Sequence, residues 1–249
     1  MIGTEGMART MTDQYAMNPA LDPRLLAIHF ARRGRLHIPE FLAPGAAQLL
    51  YDHLRARTDW RLIVNQDDLV FELDRTAQAA LTEDARQQLD DAVYAKARTG
   101  FQYRYELIRI PDSEAESVAE TNPLVSFARF MTSPEVLAFL SEVLGGIPIN
   151  FSDAQATAYG PGHFLTTHDD EVATKNRKAA YVYNLSASWR TDWGGLLMFN
   201  GSDGHIEEAF LPKFNALNLF SVPQHHSVSY VVPFVPYRRY AVTGWLRQR

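Results

Sequence analysis

The stretch "FLTTHDDE" (residues 164–171) sets His168 against three acids, Asp169, Asp170 and Glu171. In an extended segment, residues two apart face the same way. His168 and Asp170 can therefore reach one metal ion from a single strand end, with Asp169 and Glu171 left as solvated charges. A third ligand has to come from elsewhere in the chain. The segment "PQHHSVSYVV" (223–232) offers His225 or His226 at the head of an alternating run. Two imidazoles and one carboxylate form the facial triad that holds non-haem Fe(II) and leaves coordination positions open. In "RRYAVTGWLR" (238–247), Arg239, Ala241, Thr243 and Trp245 share one strand face by the same period of two. An arginine turned into a barrel needs a counter-charge, because an unpaired buried charge is too costly. A dicarboxylic acid beside the metal can supply it through two parallel hydrogen bonds to the guanidinium, and Thr243 can add another donor. The chain has no cysteine, which excludes disulfides and thiolate metal sites.

The elements that must carry these residues follow from periodicity. At 249 residues and 46% apolar composition the chain reads as one domain over 21–249, preceded by a loose N-terminal tail over 1–20. A helical flank is expected mostly over 21–99 and 133–146. "DPRLLAIHFARRG" opens on an acid and a proline and closes on Gly34. "APGAAQLLYDHLRART" spaces Ala47, Leu50, Tyr51 and Leu54 for one buried face. "TAQAALTEDARQQLDDAVYAKART" reads as one or two helices with a capping-like Thr82, and "SPEVLAFLSEVLGG" has Ser133 and Pro134 as a start signal. From Gly100 the rhythm turns to period two, with short apolar runs separated by Gly, Pro and Asn. That pattern means a sandwich or barrel, so the fold class is mainly β with a helical flank around a jelly-roll core over 100–249. The aromatics of "FQYRYELI" (101–108) read as barrel core, with one wall of a substrate groove as the alternative. His163 reads as a turn residue, and Arg177 falls at the rim of the expected mouth, where it can meet substrate.

In this order, the segments "AYGPGHFLTTHDDE", "NRKAAYVYNLSASWRTDWGGLLMF", "PKFNALNLFSVPQHHSVSYV" and "RRYAVTGWLR" resemble the prolyl-4-hydroxylase-like branch of the 2-oxoglutarate- and Fe(II)-dependent dioxygenases, from about Ala154 to Arg247. The shared signature is His-x-Asp, a strand running to a Trp and "GG", His-x-Val, and an Arg shortly before Gly-Trp. The resemblance implies a double-stranded β-helix (cupin-like) and iron ligands His168, Asp170 and His226, the last preferred over His225 because "HSV" matches His-x-Val. It also implies Arg239 on the distal carboxylate of 2-oxoglutarate, Tyr159 reaching the same co-substrate and Trp245 lining its pocket. Many relatives read Tyr-Leu-Asn where this chain has "YVYNLSAS", which bears on whether Tyr183 and Asn184 touch the co-substrate. Fe(II), 2-oxoglutarate and O₂, with ascorbate as an accessory reductant, are the implied cofactors. The implied reaction is hydroxylation of an unactivated C–H bond with release of succinate and CO₂, most naturally on a prolyl residue of a protein or peptide.

Two other readings compete. A hydroxylase of a free amino acid or other small molecule would use the same centre. A jelly-roll binding module without oxidation would need no triad and carboxylate clamp together. A net charge of -5 and a pI near 5.9 argue against a nucleic-acid surface. No apolar run approaches the roughly 18 to 20 residues that span a bilayer. The N-terminal stretch lacks the pattern of a secretory signal, and the expected compartment is the cytoplasm.

Overall fold

A computed structural model describes residues 14–67, 69–111 and 122–249. In chain order these form α1 (Pro23–Arg33), β1 (Arg35–Ile38), α2 (Ala46–Ala56), β2 (Arg61–Gln66), β3 (Leu69–Asp74), α3 (Arg75–Ala80), α4 (Glu83–Ala97) and β4 (Tyr103–Arg109). The helices α5 (Pro123–Met131) and α6 (Pro134–Val143) come next, then β5 (Phe151–Ser152), β6 (Gln155–Tyr159), β7 (Phe164–His168) and β8 (Arg177–Asn184). The chain finishes with β9 (Leu197–Asn200), β10 (Ile206–Phe210), β11 (Ala216–Ser221), β12 (His226–Val228) and β13 (Arg239–Arg247).

The helices start where the local chemistry satisfies their free N–H groups. The Asp22 carboxylate accepts from the Arg24 amide at 2.9 Å, with Pro23 in the first turn and Gly34 closing α1 at φ 64°. Ser133 and Pro134 repeat this grammar on α6, and Thr82 caps α4. Asn122 and Pro123 do the same for α5, a helix the periodicity argument had not singled out. Of the expected tail, residues 1–13 lie outside the described residues. Within the described part of that stretch, Tyr15 is buried against Phe127 and Phe130 and its hydroxyl donates to the Pro123 carbonyl.

The thirteen strands among the described residues belong to one antiparallel sheet; ten of them follow the order β1-β11-β8-β13-β6-β4-β7-β12-β9-β10, and β5 pairs with the end of β13. β2 and β3 form a hairpin on the outer side of β4, inside the stretch expected to be helical flank. "RLIVNQDDLVFELD" has strand propensity and a turn at its centre, and pairing with β4 decides its state. Strand alternation sorts the side chains into two layers. Ala156, Ala158, Tyr181, Tyr183, Leu217, Leu219, Tyr240, Val242 and Leu246 face the helices and pack with Trp60, Phe127 and Leu140. Their neighbours on the same strands face inward, between the two halves of the roll. Among the described residues, no helix is long and apolar enough to cross a membrane.

Candidate metal centre

β7 ends at His168, and β12 runs antiparallel beside it with His226 as the direct partner of His168. The two ring centroids lie 4.2 Å apart. Asp170 does not continue the strand. Its φ of 64° turns the chain into the left-handed region, which Asp tolerates better than most residues. The carboxylate therefore reaches the histidines through a turn and not through strand alternation. His168 Nε2 lies 3.4 Å from Asp170 Oδ1, and His226 Nε2 lies 3.4 Å from Oδ2. Among the described residues, these three form the cluster able to hold a metal, with one ligand atom from each all within 4.8 Å of one another.

The surroundings settle how each ring is presented. His168 Nδ1 donates to the Thr166 carbonyl at 3.1 Å, and His226 Nδ1 donates to the Gln224 carbonyl at 2.8 Å. That turns both Nε2 atoms toward the carboxylate: with a cation between them they can serve as lone-pair donors, and without one an Nε2–H can donate to Asp170. Phe220 packs on the His226 ring at 4.5 Å and Phe101 on the His168 ring at 5.4 Å. Burial pushes the Asp170 carboxyl up, but the two imidazoles beside it outweigh burial and hold it well below the usual carboxylate range. His225 is exposed, on the opposite side of the strand start from His226. Alternation thus selects between the two neighbours that spacing alone leaves open.

A cavity of about 300 Å³ joins this cluster to Arg239. Arg239 is 2% exposed and sits opposite Tyr159 in the β6–β13 register. Its guanidinium carbon lies 5.1 Å from the Tyr159 ring centre. Its Nε and Nη1 are buried without a hydrogen-bond partner. Burial pushes its pKa down to about 10, and the neighbouring Tyr159 opposes the shift, so the group stays charged at neutral pH. A carboxylate ligand would satisfy this buried, charged guanidinium. Thr243 and Trp245 line the same cavity two and three strand repeats along from Arg239, as the period predicts.

Other residues land differently. Phe101, Tyr103 and Tyr105, expected first of all in the barrel core, line the cavity instead. Tyr105 stacks on Tyr159 with centroids 5.0 Å apart and planes 11° from parallel, a pair the sequence did not single out, since parity groups Tyr105 with Phe101 and Tyr103 without saying what their face meets. Tyr183 faces the helices, where its hydroxyl donates to Asn215 Oδ1 and its ring stacks on Phe127. The Asn184 amide donates to the Val182 and Ala216 carbonyls. His163 is the expected turn residue, its Nδ1 accepting from the Gly160 amide. Arg177 is not loose at the rim. It donates to the Asp170 carbonyl at 2.9 Å and stacks over Trp245 at 3.7 Å.

Comparison with known proteins fits this geometry. Residues 154–247 match a family model described as the 2OG-Fe(II) oxygenase superfamily. Prolyl 3-hydroxylase OGFOD1 of Mus musculus is 29% identical over 130 residues, covering 49% of this chain and 23% of that protein. The Xenopus laevis protein of the same name is 32% identical over 100 residues, covering 37% of this chain and 19% of that protein. The chain thus spans less than a quarter of the length of these curated relatives. A Pseudomonas putida prolyl-4-hydroxylase structure superposes with a TM-score of 0.55 at 18% identity, covering 92% of this chain and 100% of that one. A Trichoplax adhaerens prolyl hydroxylase, solved with a hypoxia-inducible-factor peptide fragment, gives 0.58 at 16% identity, covering 90% and 88%. At these identities the likeness is one of fold, and that fold is the double-stranded β-helix of 2-oxoglutarate oxygenases.

Proposed function

We propose that this chain, which carries the 2OG-Fe(II) oxygenase superfamily match over residues 154–247, is an Fe(II)- and 2-oxoglutarate-dependent dioxygenase that hydroxylates a prolyl residue of a protein substrate. One observation carries the reading: the His168–Asp170–His226 cluster and the unpaired Arg239 open onto the same cavity. The donor set of two neutral imidazoles and a carboxylate suits Fe(II).

Fe(II) bound there supplies the redox chemistry by which O₂ and 2-oxoglutarate are converted into a hydroxylated substrate, succinate and CO₂. The protein's own part is positioning and electrostatics. The Thr166 and Gln224 carbonyls lock both ring tautomers, so Nε2 is the ligating atom on each histidine. Arg239 takes the distal carboxylate of 2-oxoglutarate in a site where burial strengthens the pair, with Thr243 as a further donor and Tyr159 and Trp245 as walls. Leu165, Val182, Leu197, Phe220 and Val228 form the apolar side of the chamber beside the candidate metal cluster. No side chain has to act as a general base.

A polypeptide substrate is favoured by the mouth. Val70 and Phe101 line the cavity and are exposed, giving its mouth an apolar edge. Surface of this kind beside a catalytic opening suits a protein partner. The names of the mouse and frog relatives and the peptide bound to the Trichoplax enzyme support proline as the target. The proposed compartment is the cytoplasm, with whose reducing conditions a chain free of cysteine is compatible.

The test is anaerobic addition of Fe(II) and 2-oxoglutarate to the metal-free protein. A weak visible charge-transfer band is expected, lost with His226→Ala and shifted to much higher 2-oxoglutarate with Arg239→Ala. No band at any concentration would overturn the class. Peptide mass spectrometry after turnover then separates the substrates: a +16 shift on proline supports the prolyl reading, and oxidation confined to free amino acids replaces it.

A further inference from the structure

Arg239 Nε and Nη1 have no hydrogen-bond partner, so no bond through them fixes where the guanidinium points. Its reach is set by where its backbone enters the sheet. Arg239 is the first residue of β13 and stands opposite Tyr159, the last residue of β6. The chain arrives there over Pro233, Phe234, Pro236 and Tyr237, and Phe234 and Tyr237 are exposed side chains that add little anchorage. The fixed point is Arg238, whose Nε donates to Glu106 Oε2 at 2.8 Å. On β4, Tyr105 and Leu107 line the cavity, so alternation turns Glu106 to the opposite face. There it is 1% exposed, between Leu62 of β2 and Ala158 of β6 in the register. A carboxylate buried inside a sheet is costly unless cations answer it. Arg238 does so at hydrogen-bond distance, and Arg75, the first residue of α3, lies at 3.6 Å. Glu106 belongs neither to the metal cluster nor to the cavity lining.

We propose that Glu106 is a positioning residue for 2-oxoglutarate: by holding Arg238 it fixes the head of β13, the point from which Arg239 reaches the co-substrate. The inference rests on the dioxygenase reading, which supplies the ligand. The sign of the effect separates positioning from plain electrostatics. Glu106 is an anion behind the wall of a site for a dianion. Through-space repulsion alone would therefore make neutralising Glu106 tighten 2-oxoglutarate binding. Loss of the Arg238 anchor would weaken it instead, because a misplaced guanidinium loses the geometry of paired hydrogen bonds to a carboxylate. Removing the Arg238 cation weakens binding on either account, so Glu106 is the informative member of the pair. Arg75 meets the same carboxylate from α3 and also donates to the Arg57 carbonyl at 3.3 Å. It does not hold β13, which makes it the control.

The full chain is loaded with Fe(II) under anaerobic conditions and titrated with 2-oxoglutarate, the charge-transfer band giving the dissociation constant. Glu106→Gln and Arg238→Gln are each expected to raise that constant about tenfold. The double variant should be no weaker than either alone, because both remove one contact. Arg238→Lys keeps a cation within reach of the carboxylate and should bind within about twofold of the parent, as should Arg75→Gln. Iron content should not change, and succinate formed at saturating 2-oxoglutarate should stay within about twofold of the parent, so that the loss is one of affinity. The Arg238 side chain is 44% exposed, so Arg238→Gln and Arg238→Lys carry the test even if Glu106→Gln does not fold. Tighter binding with Glu106→Gln would make Glu106 a source of repulsion only. Equal weakening with Arg75→Gln would make the cluster a matter of general stability, and additive losses in the double variant would separate Glu106 from Arg238. Each of these overturns the proposal. Variants that match a parent with a normal band remove this inference alone, whereas a parent without a band removes it together with the dioxygenase reading.

Discussion

On β13, alternate residues meet opposite surroundings. Tyr240, Val242 and Leu246 pack into the helix-facing layer with Trp60, Phe127 and Leu140, where ring meets ring and the Trp60 indole N–H donates to the Leu54 carbonyl. Arg239, Thr243 and Trp245 face the cavity, where small side chains such as Ala180 leave room. Buried polar atoms on that side lack a hydrogen-bond partner: Arg239 Nε and Nη1 and Trp245 Nε1. One face of the strand therefore contributes stability through close packing. The other face forgoes packing and leaves polar groups unpaired, which stabilises a fold only when a ligand completes it. Both properties come from the same nine residues, so they are separated by the period of two and not by position along the chain.

The comparison can be broken at several points. The largest effect is expected for Asp170→Ala, which removes the carboxylate between the two Nε2 atoms. Succinate formation should fall by roughly a thousandfold or more, or about 4 kcal/mol of transition-state stabilisation. The thermal midpoint of the ligand-free protein should barely change. Undiminished succinate would show that the cavity face is not the reacting one. Next in size is Phe127→Ala on the helix-facing side, where the ring stacks on Tyr183 at 4.9 Å and is fully buried. Urea unfolding should show a loss of about 3–5 kcal/mol. The 2-oxoglutarate affinity of the remaining folded molecules should stay as it was.

Arg239→Met is predicted to have opposite signs in two measurements. Removing an unpaired buried charge should leave ligand-free stability unchanged or raise it by about 1–2 kcal/mol. The concentration of 2-oxoglutarate needed for half-maximal turnover should rise about a hundredfold, in line with the loss of a charge-assisted pair of hydrogen bonds. A destabilised ligand-free protein would mean that Arg239 already has a structural partner. The smallest change belongs to His225→Ala. That ring is exposed, so metal content by elemental analysis and the thermal midpoint should both match the parent chain, within about 0.5 kcal/mol for stability.

The periodicities of the sequence were enough for the helix starts at Asp22, Thr82 and Ser133 and for the β-rich character beyond Gly100, because caps and strand alternation act over a few residues. His168, Asp170 and Arg239 were legible for a similar reason: a charged or ligating group set in an alternating apolar run has few structural uses. The β2–β3 hairpin was not legible, since its state depends on pairing with β4 across a distance in sequence that no local pattern reports. Nor was the inward turn of Tyr105, whose alternation is the same whether its face meets a packed core or an open cavity.

What the sequence by itself determined was the candidate ligand types, their order, and which residues of β13 share a face. Only the tertiary structure decided that His168 and His226 are cross-strand partners and that Asp170 arrives through a left-handed turn. It also decided that Arg177 stacks on Trp245 and does not lie free at the rim. Local order is written in short-range sterics and hydrogen bonding, whereas convergence from strands more than fifty residues apart is fixed by how the sheet rolls and which register its pairs adopt.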